Sequence, residues 1–311
     1  MSVAPSKVVH RPKGSDDSLW SRIVASRYCY LALLPMLVFL VVFSYYPPVM
    51  ALWRSFFDWN GAQAIFIGIG NYLELLKDKI FLRAVGNVAK LSLFRILAIN
   101  IMSLLVAELL FNLKSDKARR FYQVAFLIPM VVPTIVSLFL WQFIYDGQFG
   151  LLNAFLEGLG LGHFQHAWLG ESTTALKALM FIGFPWIVGT NTLIYLAGLQ
   201  GIPMSVIESA ILEGCNIFQR FWRIDLPMIL GQVRLLLILS LISEVQSYET
   251  QFVLTNGGPG IATMVPGLHM YQVAFSYGRL GYACAIGMVL FAVTLILTWV
   301  NMTFIRPNVD V

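Results

Sequence analysis

Long apolar runs separated by short polar segments dominate this sequence. Six of the runs are long enough to cross a hydrocarbon core of about 30 Å as helices that rise about 1.5 Å per residue. The runs cover residues 28–53, 83–111, 121–145, 174–199, 228–254 and 281–305. Prolines fall inside several of them, namely Pro47 and Pro48 in the first, Pro129 and Pro133 in the third and Pro185 in the fourth. The pattern predicts an all-α integral membrane protein with six transmembrane helices, some of them broken at proline.

Composition supports this fold class. The 311 residues are 58% hydrophobic and only 12% charged, and the mean hydropathy is +0.75. Such a chain is too apolar for a soluble globular domain. Its net charge of +5 is not gathered into one basic patch with interleaved aromatic residues, so we expect no nucleic-acid partner.

The basic residues predict the orientation in the membrane. Five lie in the tail of residues 1–27 and four lie in the loop 112–120, whereas the loop 146–172 has none. Because lysine and arginine concentrate on the cytoplasmic side, both termini, including the short tail 306–311, and the segment 202–227 are expected to be cytoplasmic. No small-residue cleavage site follows the first run, so no removable signal peptide is expected.

A stripe of polar residues marks the fifth run. Ser240, Glu244, Ser247 and Gln251 are spaced four, three and four apart, which places them on one face of a continuous helix. A charge inside a membrane normally faces a partner or a water-filled cavity. The stripe therefore either lines a pore or forms a hydrogen-bonded seam between helices. Arg95, in the second run, either pairs with Glu244 or meets an acidic substrate.

The segment 202–227, IPMSVIESAILEGCNIFQRFWRIDLP, is polar and helical within an otherwise apolar sequence. Pro203 is expected to open it, a turn is expected near Gly214, and Pro227 is expected to close it. Ile207, Ala210 and Ile211 share one face, which leaves an apolar side available to a membrane surface or a partner.

This segment resembles the cytoplasmic EAA loop of the permeases of binding-protein-dependent ABC importers. The resemblance rests on the spacing of Glu208-Ser209-Ala210, Gly214 and Ile224-Asp225-Leu226-Pro227. Ser209 and Cys215 depart from the usual alanines, but both are small. The resemblance implies a coupling helix that docks on an ATPase. The residues implied in coupling are Glu208, Ser209, Ala210, Gly214, Ile224, Leu226 and Pro227.

The C-terminal third resembles carbohydrate importer permeases of the maltose and glycerol-phosphate type. Residues 248–260 read YETQFVLTNGGPG, and residues 271–291 read YQVAFSYGRLGYACAIGMVLF. The motif Asn256-Gly257-Gly258-Pro259 also predicts a tight external turn by its own chemistry. The resemblance covers most of a permease domain at residues 28–305 and implies that the fourth and fifth helices line a sugar path. The residues implied in that path are Trp186, Ser240, Glu244, Ser247, Gln251 and Arg95, with Trp186 serving either a sugar ring or packing.

The family resemblance also implies partners. It implies a second permease subunit, two ATP-binding subunits, an extracytoplasmic solute-binding protein and a carbohydrate substrate, in the cell membrane of a prokaryote with lipid around the helices. The chain itself lacks a GxxxxGK[ST] phosphate loop, so ATP and Mg are expected on the partner subunits and no cofactor or metal is expected here. The chain is thus expected to be a non-catalytic subunit.

Three alternatives remain open from the sequence. An ion-coupled secondary transporter would need no ATPase, but it would leave the 202–227 pattern unexplained. An intramembrane enzyme lacks an HExxH or GxSxG signature. An ABC importer for a non-sugar or an acidic glycan differs from the main interpretation in the solute alone.

Overall fold

The computed structural model describes residues 26–304. The predicted cytoplasmic tails 1–27 and 306–311 lie outside the described residues, apart from Ser26 and Arg27. The chain divides into two compact units, residues 1–50 and 51–311. In the first unit an apolar helix begins at Arg27 and passes through one wider π-helical turn at Val41–Tyr45.

The second unit consists of helices and one short hairpin. Over the described residues 26–304, the helices in chain order are α1 (Arg27–Leu40), α2 (Tyr46–Arg54), α3 (Gly70–Leu75), α4 (Lys79–Phe111), α5 (Asp116–Leu127), α6 (Thr134–Ile144), α7 (Leu151–Gly158), α8 (Ala175–Phe181), α9 (Gly189–Gln200), α10 (Met204–Leu212), α11 (Ile217–Arg220), α12 (Leu226–Met228), α13 (Leu230–Gln246), α14 (Glu249–Leu254), α15 (Pro266–Phe275) and α16 (Leu280–Phe304), and the strands are β1 (Phe57–Trp59) and β2 (Ala64–Phe66).

Four helical stretches in the described part are long and apolar enough to span a membrane. They are Tyr30–Arg54, Lys79–Phe111, Leu230–Leu254 and Leu280–Phe304. Two further pairs of helices meet the same criterion only when a sharp bend is allowed, α5 with α6 at 87° and α9 with α10 at 73°. The described chain therefore contains four to six candidate spans, which agrees with the predicted mostly helical membrane fold.

The predicted breaks at proline are present in the third and fourth runs but not in the first, where Pro47 and Pro48 lie inside the continuous helical stretch Tyr30–Arg54. In the third run α5 ends at Leu127, a short 3-10 turn covers Ile128–Val131, and α6 starts after Pro133. Proline lacks the N–H that would continue the helical ladder, so the chain bends where Pro129 and Pro133 stand. The fourth predicted run, 174–199, is not one helix. It is divided into α8 and α9 by an irregular stretch, residues 182–188, that contains Pro185.

The sequence patterns missed a hairpin between the first two runs. Strands β1 and β2 pair antiparallel, with Phe57 opposite Phe66. The Asn60 side chain accepts hydrogen bonds from two N–H groups of the hairpin loop, and Asn71 of α3 donates to the carbonyls of Ser55 and Phe57. A side chain on Gly281 would clash with the Phe57 carbonyl, so α16 and the hairpin pack in backbone contact.

Helix α4 is the central element of the second unit. It packs against α9 and α13, and against α8 and α15 nearer its N-terminal end. The neighbouring helix α9 approaches α5 and α13 closely at glycines. A Cβ on Gly189 would clash with the Phe126 carbonyl of α5, and a Cβ on Gly198 would clash with the Gln232 side chain of α13. Polar contacts to other elements occur at several heights along α4, and these define the candidate sites.

Candidate coupling surface and membrane site

Helix α10 is attached to the membrane helices by its apolar face. Ile207 is buried among Ala107 and Leu110 of α4 and Leu199 of α9, and Ala210 is buried as well. Pro203 provides the N-cap, as expected for a residue whose missing N–H has no helical partner at that position. The predicted apolar face is thus present, but Ile211 is 58% exposed and does not share the burial of the other two.

The predicted turn at Gly214 is present and requires glycine for its backbone. Gly214 has φ +78°, and a Cβ there would meet no atom within 4 Å. The restriction is therefore conformational rather than steric, since other residues rarely adopt this φ. After the turn, Asn216 and Gln219 form a reciprocal capping box that starts α11.

Pro227 does not close the segment, which corrects the prediction. The chain continues from α11 through a π-helical turn, Phe221–Asp225, into α12, where Pro227 occupies the first turn. Proline is tolerated there because first-turn N–H groups have no intrahelical acceptor. Leu226 and Pro227 therefore belong to the junction with α13.

The segment offers a groove and an exposed apolar surface. Of the predicted coupling residues, Ser209, Ala210, Gly214 and Ile224 line a groove of about 660 Å³ between α10 and the π-helical turn. Glu208 is exposed outside the lining of this groove. Large apolar side chains stand out around it, namely Met204, Ile211, Leu212, Phe218 and Trp222, which are 58–88% exposed. Exposed apolar side chains grouped in this way are typical of a surface that contacts another protein or a membrane.

Arg220 lies in a buried ionic cluster that the sequence patterns did not reveal. Its Nε lies 2.9 Å from Asp225 Oδ2, and its Nη2 lies 3.2 Å from Glu108 Oε1 and 2.6 Å from Asn112 Oδ1. Burial lowers the pKa of the Arg220 guanidinium, but the hydrogen bonds and charges of Asp225 and Glu108 raise it further than burial lowers it. Arg220 is therefore a permanent cation that joins the loop to the C-terminal end of α4.

The membrane interior contains an ion pair between two of the predicted path residues. Arg95 Nε lies 2.9 Å from Glu244 Oε2, with side-chain exposures of 23% and 14%. Arg95 lies sixteen residues from either end of α4. The structure thus realises the pairing of Arg95 with Glu244, one of the two alternatives for Arg95.

Glu244, Ser247 and Gln251 are brought together with Arg95 around a cavity of about 10 Å³, which Thr250 also lines. The Gln251 side-chain oxygen is buried without a hydrogen-bond partner among the described residues. This cavity is closed and too small for a sugar. It nevertheless gathers one ion pair and three neutral hydrogen-bonding side chains at one point.

The polar stripe is not the face of one continuous helix, which corrects the prediction. Helix α13 ends at Gln246, Ser247 is extended with ψ 133°, and α14 starts at Glu249. Ser240 lies apart from the cavity and accepts a hydrogen bond from Asn100, whose Oδ1 receives the Tyr195 hydroxyl at 2.8 Å. At Ser240 the arrangement is therefore an interhelical seam.

Trp186 lies in an aromatic cluster and does not line the cavity. Its ring centroid is 5.0–5.4 Å from those of Phe94, Phe181 and Phe184, and its indole N–H donates to the Met180 carbonyl. Its φ of 58° is unusual for a residue with a side chain. Of the two alternatives for Trp186, the described contacts are those of packing.

A second polar cluster binds the N-terminal end of α4. Asp78 caps that helix and its Oδ2 lies 2.8 Å from both His269 Nε2 and the Tyr282 hydroxyl. Burial raises the pKa of Asp78, but hydrogen bonds from His269, Tyr282 and the Phe81 N–H lower it further. Beside it, the bidentate hydrogen bonds from Arg279 lower the pKa of Glu74.

Similar proteins share this architecture. Residues 99–307 match the family described as binding-protein-dependent transport system inner membrane component. A probable ABC transporter permease of Bacillus subtilis is 32% identical over 281 residues, which cover 90% of this chain and 96% of that protein. The diacetylchitobiose uptake system permease of Streptomyces coelicolor is 34% identical over 273 residues, which cover 84% of this chain and 77% of that protein. The trehalose/maltose transport system permease of Thermococcus litoralis is 32% identical over 290 residues, which cover 91% of this chain and 96% of that protein.

The fold has a solved counterpart as well. A chain in the crystal structure of a bacterial ABC transporter that imports the acidic polysaccharide alginate superposes with a TM-score of 0.82 at 22% identity, over 94% of this chain and 99% of that one. With the loop, the helical fold and the sequence matches in agreement, the chain belongs to the family of binding-protein-dependent transport system inner membrane components, the permeases of ABC importers.

Proposed function

We propose that this chain forms half of the translocation pathway of an ATP-driven carbohydrate importer. The complete importer contains a second, related permease, two ATP-binding subunits and an extracytoplasmic solute-binding protein. One chain presents one 202–227 segment, so two permeases are needed to engage two ATPase subunits. ATP and Mg are bound by those subunits, and this chain supplies no catalytic group.

The proposed topology has six spans with both termini in the cytoplasm. The third span is the bent α5–α6 pair and the fourth is α8 with α9, while α10 lies outside the membrane as the coupling helix. The distribution of basic residues supports this topology. With six spans, the basic 112–120 loop and the segment 202–227 lie on one side, and the loop 146–172, which has no lysine or arginine, lies on the other.

The observation that carries the coupling proposal is the exposed apolar surface around α10. Leu212 is 88% exposed and Phe218 is 80% exposed, while Ile207 of the same segment is buried against the membrane helices. A helix held firmly on one side and apolar on the other is suited to docking in the groove of a partner. Glu208 stands on the exposed side and is available to a basic group of that partner.

The solute is proposed to be a neutral oligosaccharide. The three named relatives include permeases for diacetylchitobiose and for trehalose/maltose. Arg95 is neutralised by Glu244 at 2.9 Å, and the other polar groups at that point, Ser247, Thr250 and Gln251, are uncharged. Neutral hydroxyl groups match such a lining, whereas a carboxylate would have to displace Glu244 from Arg95. Opening of the closed cavity during alternating access would expose these groups to solute.

Co-purification with the ATP-binding subunit tests the coupling surface. Leu212→Asp and Phe218→Asp should remove the ATPase subunit from the purified complex, because each places a charge in an apolar interface. Phe149→Asp is the matched control, since Phe149 is 79% exposed but lies in the loop 146–172 on the opposite side. Retention of the ATPase subunit by both loop variants would refute the docking surface.

Two further substitutions test coupling within an assembled complex. Gly214→Pro cannot adopt a φ of +78°, because the proline ring holds φ near −65°. Glu208→Lys reverses the exposed charge of α10. Both variants should lower uptake by more than they lower the yield of folded permease. Uptake equal to that of the parent complex would show that the segment does not couple the ATPase to transport.

A solute screen tests the substrate proposal. Glu244→Gln frees the Arg95 guanidinium and should shift preference from neutral toward acidic oligosaccharides. Arg95→Gln should not produce that shift. If the parent complex prefers an acidic glycan, the neutral class is wrong and the solute resembles alginate in charge. If neither variant changes affinity, rate or preference, these two residues are not in the path.

A further inference from the structure

The buried cluster around Arg220 joins two parts of the chain that are far apart in sequence. Arg220 is the last residue of α11, Asp225 is the last residue of the π-helical turn that follows, and Glu108 and Asn112 lie at the C-terminal end of α4. Arg220 is 8% exposed, Asp225 0% and Glu108 9%. Charged side chains are seldom buried to this extent unless they are paired.

The contacts form one connected network. Arg220 donates from Nε to Asp225 and from Nη2 to both Glu108 and Asn112, and Asn112 Nδ2 in turn donates to Glu108 Oε1 at 2.7 Å. The guanidinium also lies 5.5 Å from the ring centroid of Phe111. A planar fork of donors can satisfy several partners in only one arrangement, which fixes the loop against α4 in position and orientation.

Helix α4 then extends this link to the rest of the permease. It is a single helix of 33 residues, and it carries Arg95, which contacts Glu244 of α13, and starts next to Asp78, which contacts His269 of α15. Movement of the loop would therefore act on α4 and, through α4, on the helices that surround the Arg95 cavity. The apolar packing of Ile207 and Ala210 permits sliding, whereas directional hydrogen bonds resist it.

We propose that Arg220 is a positioning residue for coupling, which ties the ATPase-docking segment to α4 so that movement of the docked segment moves α4. This inference rests on the proposed function, because it assumes that the segment docks on an ATPase. Arg220 is not one of the residues that the family resemblance implies in coupling, which are Glu208, Ser209, Ala210, Gly214, Ile224, Leu226 and Pro227. Its side chain is buried against α4 and is therefore unavailable to the partner.

The test compares Arg220→Gln with the parent in a reconstituted complex of both permeases, the ATPase subunits and the binding protein. The measured quantity is solute imported per ATP hydrolysed, normalised to the amount of assembled complex. Loss of the hydrogen bonds from Arg220 to Asp225, Glu108 and Asn112 should lower this ratio about fivefold or more, which is the usual size of coupling between sites. The ATPase subunit should stay bound. Arg220→Lys keeps the charge but not the fork and should restore part of the ratio.

Lys117→Gln is the matched control, because Lys117 is an exposed cation in the first turn of α5, five residues after Asn112. It should leave the ratio unchanged. A role in folding alone would lower the yield of complex but not the normalised ratio, so an unchanged ratio for Arg220→Gln overturns the inference. If Arg220→Gln gives too little complex, Glu108→Gln and Asp225→Asn, which preserve shape, provide the same comparison. Failure of the parent complex to hydrolyse ATP in response to loaded binding protein would instead contradict the proposed function.

Discussion

The ion pair between Arg95 and Glu244 allows a quantitative prediction about what holds α4 and α13 together. The two side chains are 23% and 14% exposed and lie 2.9 Å apart in the middle of the membrane helices. Removing one partner leaves the other charge in a poorly solvated position, at a cost of about 2.5–3.5 kcal/mol. Arg95→Gln and Glu244→Gln should each destabilise the permease by about that amount.

The double variant should be less damaging than either single one. With both charges removed no unpaired ion remains, and the two amides can bond to each other, so the expected cost is about 1 kcal/mol. The single variants should then lower the apparent melting temperature by about 5–14 °C, at the roughly 2–4 °C per kcal/mol typical of large domains. The coupling free energy obtained from the cycle, which is the sum of the two single costs less the cost of the double variant, should be about 4–6 kcal/mol.

The Glu74–Arg279 pair provides the control for this cycle. It has bidentate geometry, but its side chains are 44% and 48% exposed, and exposed pairs contribute at most about 1 kcal/mol. Thermal unfolding of purified permease in detergent, scanned at one rate for all variants, measures both cycles. A coupling free energy for Arg95 and Glu244 that is no larger than that of the control pair would refute the account of a buried, mutually dependent pair.

Two further predictions concern packing and pH. Gly189→Ala should lower the apparent melting temperature markedly, because its Cβ would clash with the Phe126 carbonyl. Gly214→Ala has open space around its Cβ but keeps φ +78°, so it should destabilise the permease by only about 1–2 kcal/mol. Equal decreases in melting temperature for the two variants would contradict the close packing of α9 on α5. Because the pKa of Asp78 is lowered in the folded protein, its stabilisation should be complete above the ordinary carboxyl pKa near 4 and should be lost as pH falls through the lowered value. Melting temperatures measured from pH 6 to pH 3 should fall, and Asp78→Asn should flatten that fall; an unchanged slope would exclude Asp78 as its source.

The sequence was most informative where a physical constraint acts locally. The apolar runs predicted the long helices, and α4 and α16 begin within four residues of the predicted bounds. Pro129, Pro133 and Pro185 predicted the breaks because proline acts on its own backbone. Gly214 predicted the turn for the same reason, since only glycine adopts its φ without cost.

Sequence patterns were less informative where contacts cross between elements. The stripe Ser240, Glu244, Ser247 and Gln251 suggested one helical face, but Ser247 is extended and divides the helix. Spacing alone cannot register such a break when no proline or glycine marks it. Arg95 and Glu244 are 149 residues apart in the sequence, and the sequence alone left their pairing as one of two alternatives for Arg95.

The Arg220 cluster shows the same limitation. Arg220 and Arg223 are three residues apart in a basic and aromatic stretch, yet one is buried and the other is exposed. Their difference depends on Glu108 and Asn112, more than a hundred residues away. A lone glutamate near the end of an apolar run was the available signal, because such a charge requires a partner.

We propose that this permease converts ATP hydrolysis on a partner subunit into solute import. The most direct measurement is uptake of labelled oligosaccharide into proteoliposomes that contain both permeases and the ATPase subunits, with loaded binding protein on the outer side and ATP inside. We expect uptake that requires ATP and binding protein, persists without an ion gradient, and is abolished when Leu212→Asp removes the ATPase subunit. Uptake that follows an ion gradient and continues without the ATPase subunit would contradict it.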